Sequence, residues 1–156
     1  MNEHRRLFLK GTLAIGALSV AAGAGLLTPG DVLAAWPEAA FKAKTVDDAL
    51  KGLMGGAAFE SSDAINVKAP DIAENGAVVP ITVSSSLKDV TNIAILASAN
   101  PSPLTSAYEL GKGTHAYIST RIKMGKTGDV IAIVKSGGKV YGAKKQVKVT
   151  IGGCGG

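Results

Sequence analysis

Cysteine is nearly absent: the 156 residues hold one, Cys154. Histidine is almost as scarce, with His4 and His115 the whole supply. A single cysteine has no partner for a disulfide within the chain, and one thiol with so few imidazoles falls short of the four ligands of a structural zinc site. The same scarcity removes the parts of a cysteine hydrolase, which needs a base and an orienting group held against the thiol. Apart from His4 at the front of the chain that base could only be His115, which sits in a strand pattern and reads as structural or exposed. The acids Asp47, Asp48, Asp63 and Asp71 are scattered and read as solvated or capping. Gly111-Lys112-Gly113 reads as a turn, not a phosphate cradle. The expectation is a chain with no catalytic residue, no metal and no cofactor.

Aromatic residues make up only 4%, and none interleave with basic ones, which excludes a nucleic-acid surface. The net charge of +5 is a mild excess, suited to anionic ligands or acidic partners. No apolar run reaches the roughly 20 residues of a spanning helix. The longest, residues 11–27, is diluted by Gly, Ser and Thr.

That run belongs to an address. His4-Arg5-Arg6-Leu7-Phe8-Leu9-Lys10 precedes it, and Pro29-Gly30 and the small residues Ala34 and Ala35 follow. Basic front, apolar middle and small-residue cleavage site are the plan of an export signal. Arg5-Arg6 with Phe8 and Lys10 resembles the twin-arginine signal, His4 standing where that motif carries Ser or Thr. Residues 1–34 are expected to be removed, leaving a periplasmic protein without a membrane segment. The removed part holds Arg5, Arg6 and Lys10 against Glu3 and Asp31, so the remainder carries +4.

Residues 35–56 read as a helical segment. Pro37 and Glu38 suit a first turn, and Lys42 and Lys44 a last one. Thr45 followed by Asp48 is close to a capping box, Val46, Ala49, Leu50, Leu53 and Met54 recur at helical spacing, and Gly55-Gly56 stops the helix. This pair is expected to pack against the body.

From residue 57 the period changes to two. Ile65 and Val67; Val79, Ile81 and Val83; Ile93, Ile95 and Ala97; a short run near 107–110; Ala116, Ile118, Thr120 and Ile122; the apolar run 130–134; and Val147, Val149 and Ile151 give about seven short strands. Pro80 suggests an edge strand or bulge. Lys126-Thr127-Gly128-Asp129 reads as a turn, and Ser136-Gly137-Gly138-Lys139 as a tight hairpin. The pattern predicts an all-β, immunoglobulin-like antiparallel β-sandwich over residues 57–151, with a short N-terminal helical segment.

The sandwich then runs into Gly152-Gly153-Cys154-Gly155-Gly156. Four glycines around one thiol predict a flexible arm, at most roughly 17 Å long for five residues. In an oxidising compartment such a lone thiol is either an intermolecular cross-link or a reactive handle. Cys154 is expected to be a covalent attachment point anchored by the sandwich at Ile151 and presented by Gly152, Gly153, Gly155 and Gly156. Lys144, Lys145 and Lys148 read as a solvated strand face.

The twin-arginine signal, the Trp36-Pro37 entry, the sandwich, the stretch from Ala69-Pro70-Asp71 to Val79-Pro80, and above all the terminal Gly-Gly-Cys-Gly-Gly resemble the SoxY family, the sulfur-carrier subunits of the bacterial thiosulfate-oxidising (Sox) system. The resemblance covers essentially the whole chain. It implies a periplasmic heterodimer with a SoxZ-like subunit and a carrier cysteine, here Cys154. It further implies that a c-type haem enzyme loads thiosulfate on that cysteine, that a metal-dependent hydrolase releases sulfate, and that a sulfane dehydrogenase acts where present. The carrier itself catalyses none of these steps. Two other readings of the residues stay open: an exported immunoglobulin-like structural module cross-linked through Cys154, and a sulfur donor acting through the terminal Gly155-Gly156.

Overall fold

The computed structural model describes residues 37–150. The described residues open with two short helices, α1 (Glu38–Lys42) and α2 (Val46–Met54). Their boundaries follow from local chemistry. Glu38 and Lys42 pair across one turn of α1. Thr45 caps α2: its side chain accepts from the Asp48 N–H at 3.1 Å, and its hydroxyl donates to the Asp48 carboxylate at 2.8 Å. Gly55 closes α2 in the left-handed region, φ 79°, donating its N–H to the Lys51 carbonyl at 3.0 Å.

Nine strands follow: β1 (Glu60–Ser61), β2 (Ile65–Lys68), β3 (Ile72–Ala73), β4 (Val79–Ser85), β5 (Val90–Ala97), β6 (Leu104–Glu109), β7 (Tyr117–Ile122), β8 (Gly128–Ser136) and β9 (Lys139–Val149). They form two sheets. The larger has the order β1-β9-β8-β5-β6, with β3 also on β9; the smaller is β2-β4-β7. The expected immunoglobulin-like sandwich is present, and the seven expected runs are its seven longer strands. The tight hairpin is present too: Gly137 and Gly138, φ 56° and 80°, join β8 to β9 with Ser136 opposite Lys139.

Between the sheets lies the main core. Val79, Ile81 and Val83 of β4 meet Ile93 and Ile95 of β5, Val130 and Val134 of β8, and Val147 of β9, all fully or almost fully buried. The alternate residues of β5 and β8 face the other way. Ala94, Leu96, Ile131 and Ile133 pack with Leu104 beneath Ala40, Ala49 and Leu50 of the helices. The helix pair thus covers the outer face of the larger sheet. Burial on both faces explains why 130–134 reads as an unbroken apolar run instead of an alternation.

Three details differ from the sequence reading. The sandwich is not wholly antiparallel, because β1 and β3 run parallel to β9, Glu60 opposite Tyr141 and Ile72 opposite Lys148. They are two-residue strands without a periodic signal, and their backbones cover the outer edge of β9. Pro80 lies in β4, the middle strand of the smaller sheet, not in an edge strand. That position tolerates proline because β2 ends at Lys68 opposite Thr82, so beside Pro80 only β7 is paired, through Arg121. The short run near 107–110 is longer and earlier than its pattern suggests, since β6 begins at Leu104.

Candidate functional site

Residues 151–156, and with them Ile151, Gly152, Gly153, Cys154, Gly155 and Gly156 as attachment point and arm, lie outside the described residues. The strand that leads to them is described to its end. β9 is eleven residues long and pairs with β8 from Ser136↔Lys139 to Gly128↔Val147. Beyond Val147 the β8 ladder stops, and two other groups take over.

On one side is the β3 strap. Lys148 donates its N–H to the Asp71 carbonyl at 2.9 Å, and Thr150 donates its N–H to the Ala73 carbonyl at 3.1 Å. On the other side is Thr127. Its hydroxyl accepts from the Val149 N–H at 2.9 Å and lies 3.4 Å from the Val149 carbonyl, to which it donates. The strap is itself pinned. Asn75 accepts the Ala77 N–H on its side-chain oxygen at 2.9 Å and forms a turn, and the Gly76 carbonyl accepts from the Met124 N–H at 2.7 Å. Gly76 must be glycine-like in size here: a Cβ would stand 2.3 Å from the Met124 carbonyl oxygen and 2.9 Å from Val149 Cγ1. The last described residues are therefore gripped from both flanks, immediately before the glycine–cysteine terminus.

Charge at this root is mostly positive. Lys145 pairs with Asp71 at 3.0 Å, while Lys126 and Lys148 are exposed. Ile72 and Val78, on and just after the strap, are 56% and 50% exposed. His115 lies in the exposed segment ahead of β7, outside the strand to which its pattern assigned it. Among the described residues no group of three or more His, Cys, Asp or Glu is placed to hold a metal ion, and no helix is long and apolar enough to cross a membrane. Thr127 and the strap are the parts of the root that the sequence reading missed. Thr127 read only as a turn residue, and nothing in its neighbours announces a clamp on a strand 22 residues away.

The fold and its root define a class: a single-cysteine, immunoglobulin-like sandwich whose last strand is braced at the point where a Gly-Gly-Cys-Gly-Gly terminus begins. The comparisons with known proteins narrow that class. The family model for the sulfur oxidation protein SoxY matches residues 50–154, a span that ends on the cysteine. The sulfur carrier protein SoxY from Chlorobium limicola f thiosulfatophilum is 42% identical, with a TM-score of 0.63 over 69% of this chain and 97% of that one. The chain belongs to the SoxY family. Two structures of superoxide reductase (neelaredoxin) from Ignicoccus hospitalis share the fold alone. One, of a substituted form, has 15% identity and a TM-score of 0.50 over 56% of this chain and 80% of its own. The other has 14% identity and a TM-score of 0.52 over 59% and 95%. No curated protein matches the chain.

Proposed function

We propose that this protein is a non-catalytic, covalent carrier of sulfur intermediates in thiosulfate oxidation, with Cys154 as the attachment point and Gly152, Gly153, Gly155 and Gly156 as its swinging arm. The observation that carries this reading is the pairing of a family match ending on Cys154 with a body that grips the chain up to Thr150. A rigid root with a glycine-flanked thiol beyond it suits delivery of one cargo to several active sites.

In this scheme the Cys154 thiolate and the sulfane sulfur of thiosulfate join in a new S–S bond, and the electron pair released passes to a c-type haem enzyme. Hydrolysis of the terminal sulfone by a metal-dependent partner consumes water, releases sulfate and two protons, and leaves a persulfide on Cys154. A sulfane dehydrogenase, where present, oxidises that outer sulfur to a new sulfone, with oxygen from water and the electrons and protons released to that enzyme's own acceptor and the solvent, before a further hydrolysis. The carrier supplies only the thiol and its presentation; the +4 that remains after loss of residues 1–34 suits the anionic intermediates. Export by the twin-arginine route after loss of residues 1–34, residence in the periplasm, and a heterodimer with a SoxZ-like subunit complete the proposal.

Intact mass of the protein isolated from cells grown on thiosulfate, before and after reduction, tests it. Sulfur-containing mass additions should appear, vanish on reduction and be missing from Cys154→Ser. A population that is only a disulfide-linked dimer would support the cross-linked module instead. A thiocarboxylate that survives Cys154→Ser would support the diglycine donor.

A further inference from the structure

A groove of about 350 Å³ opens where the outermost strands of the two sheets, β6 and β7, run past each other. Its walls come from the start of β6 and the end of β7, closed by Asn100, Ser102 and Lys123. No acidic residue lines it, whereas Arg121 and Lys123 both do. The three ion pairs among the described residues involve neither of them. Two of the polar lining groups are already committed to shaping the groove. Asn100 Nδ2 donates to the Lys123 carbonyl at 2.7 Å, and Asn100 Oδ1 accepts from the Gly125 N–H at 3.0 Å. The Thr105 hydroxyl donates to the Ile95 carbonyl at 2.7 Å, fixing the irregularity between Ile95 and Leu96.

Ser106 is different. It stands opposite Ile95 in the β5–β6 ladder, on the face that looks toward the smaller sheet. Its hydroxyl oxygen is shielded from solvent and has no hydrogen-bond partner. Burial of an unpaired hydroxyl is costly, and Ser106 lines the groove, so a ligand there would relieve that cost once the Ser106 side chain turns toward it. Of the uncommitted lining residues, Thr120 stands on the inward-facing side of β7 and Ser106 beside Ile95, while Arg121 and Lys123 are exposed; all of them, with Ser102, carry donors. A flat carboxylate offers two oxygens; a tetrahedral dianion offers four, more nearly matching the number of donors the lining residues carry.

We propose that this groove binds a small tetrahedral oxyanion of the sulfate class, without covalent attachment. Arg121 and Lys123 hold it at the rim, and the Ser106 and Thr120 hydroxyls lie beneath. The site is formed by the sandwich alone and does not depend on the carrier role of Cys154.

The test is a titration of the reduced, full-length protein with sodium sulfate, against sodium chloride at equal ionic strength, followed by amide chemical shifts. Saturating shifts confined to residues 102–106 and 120–123 are expected with sulfate only. Arg121→Ala combined with Lys123→Ala changes exposed side chains, so the fold should persist while the apparent affinity falls at least about tenfold. Ser106→Ala should raise Tm in chloride, by removing the unpaired hydroxyl, and diminish the rise in Tm that sulfate produces. Shifts that grow without saturating, that spread equally over the β9 lysines, or that survive the Arg121/Lys123 change would overturn the proposal. So would a Ser106→Ala protein with an undiminished response to sulfate.

Discussion

Gly76 is where two backbones come nearest at the arm root, and a methyl group there has nowhere to go. The obstacle is the Met124 carbonyl, which belongs to the backbone, with Val149 Cγ1 close behind. Gly76→Ala should therefore destabilise the protein by about 1–3 kcal/mol in urea unfolding, the range for a forced backbone shift. Because Val149 owns one of the two crowding atoms, the same variant should speed hydrogen exchange at the Val149 and Thr150 amides. Gly142 is a parallel case with a softer neighbour: a Cβ would stand 2.4 Å from Cδ2 of the Phe59 ring, whose centroid lies 5.6 Å from the Lys144 ammonium. Thr127→Val keeps the shape of the side chain but removes both contacts with Val149. A loss of about 1 kcal/mol is expected, with protection lost selectively at the Val149 amide. By contrast, Lys145→Met should change stability by less than about 1 kcal/mol, since its partner Asp71 has an 89% exposed side chain.

At the scale of elements, α2 and β9 carry most of what distinguishes this sandwich. Loss of the Thr45 cap should cost about 1 kcal/mol, measured as Thr45→Ala in thermal or urea unfolding. Leu50→Ala should cost more, about 2–5 kcal/mol, because Leu50 is 1% exposed and fills the cluster under the helices. These elements also show what a reader of the sequence could and could not see. The α2 cap and stop, the Gly137-Gly138 hairpin and the strands that alternate around Ile81 and Ile95 are local codes, written within a few neighbouring residues. The strap 71–73 and the strand 60–61 carry no such code. They become strands only because β9 offers them an unpaired edge, a condition set by residues about 75 positions away or more. Pro80 misleads for the same reason: whether its missing N–H matters depends on where β2 happens to end. The lone cysteine among glycines was legible at once, whereas the clamp that precedes it is a tertiary construction.

For the whole molecule, the proposed carrier role divides labour between the packed body and the thiol beyond it. The two core clusters draw on residues between Ala40 and Val149. Cys154→Ser should accordingly change the unfolding free energy measured in urea by no more than about ±0.5 kcal/mol, the range of a neutral surface change, while abolishing every sulfur adduct in the mass spectrum.

The grip on Lys148, Val149 and Thr150 has a consequence for encounter statistics. Whatever path the chain takes beyond Thr150, the Cα of Cys154 stays within roughly 14 Å of it, the reach of four extended residues. A thiol confined to the half-sphere outside the body at that radius has an effective molarity on the order of 0.1 M. On the proposed carrier role, a partner that rests on the sandwich beside Thr150 would meet the sulfur as if it were a concentrated reagent. The contact between the two bodies could then be brief and weak, and turnover limited by chemistry or release rather than by search.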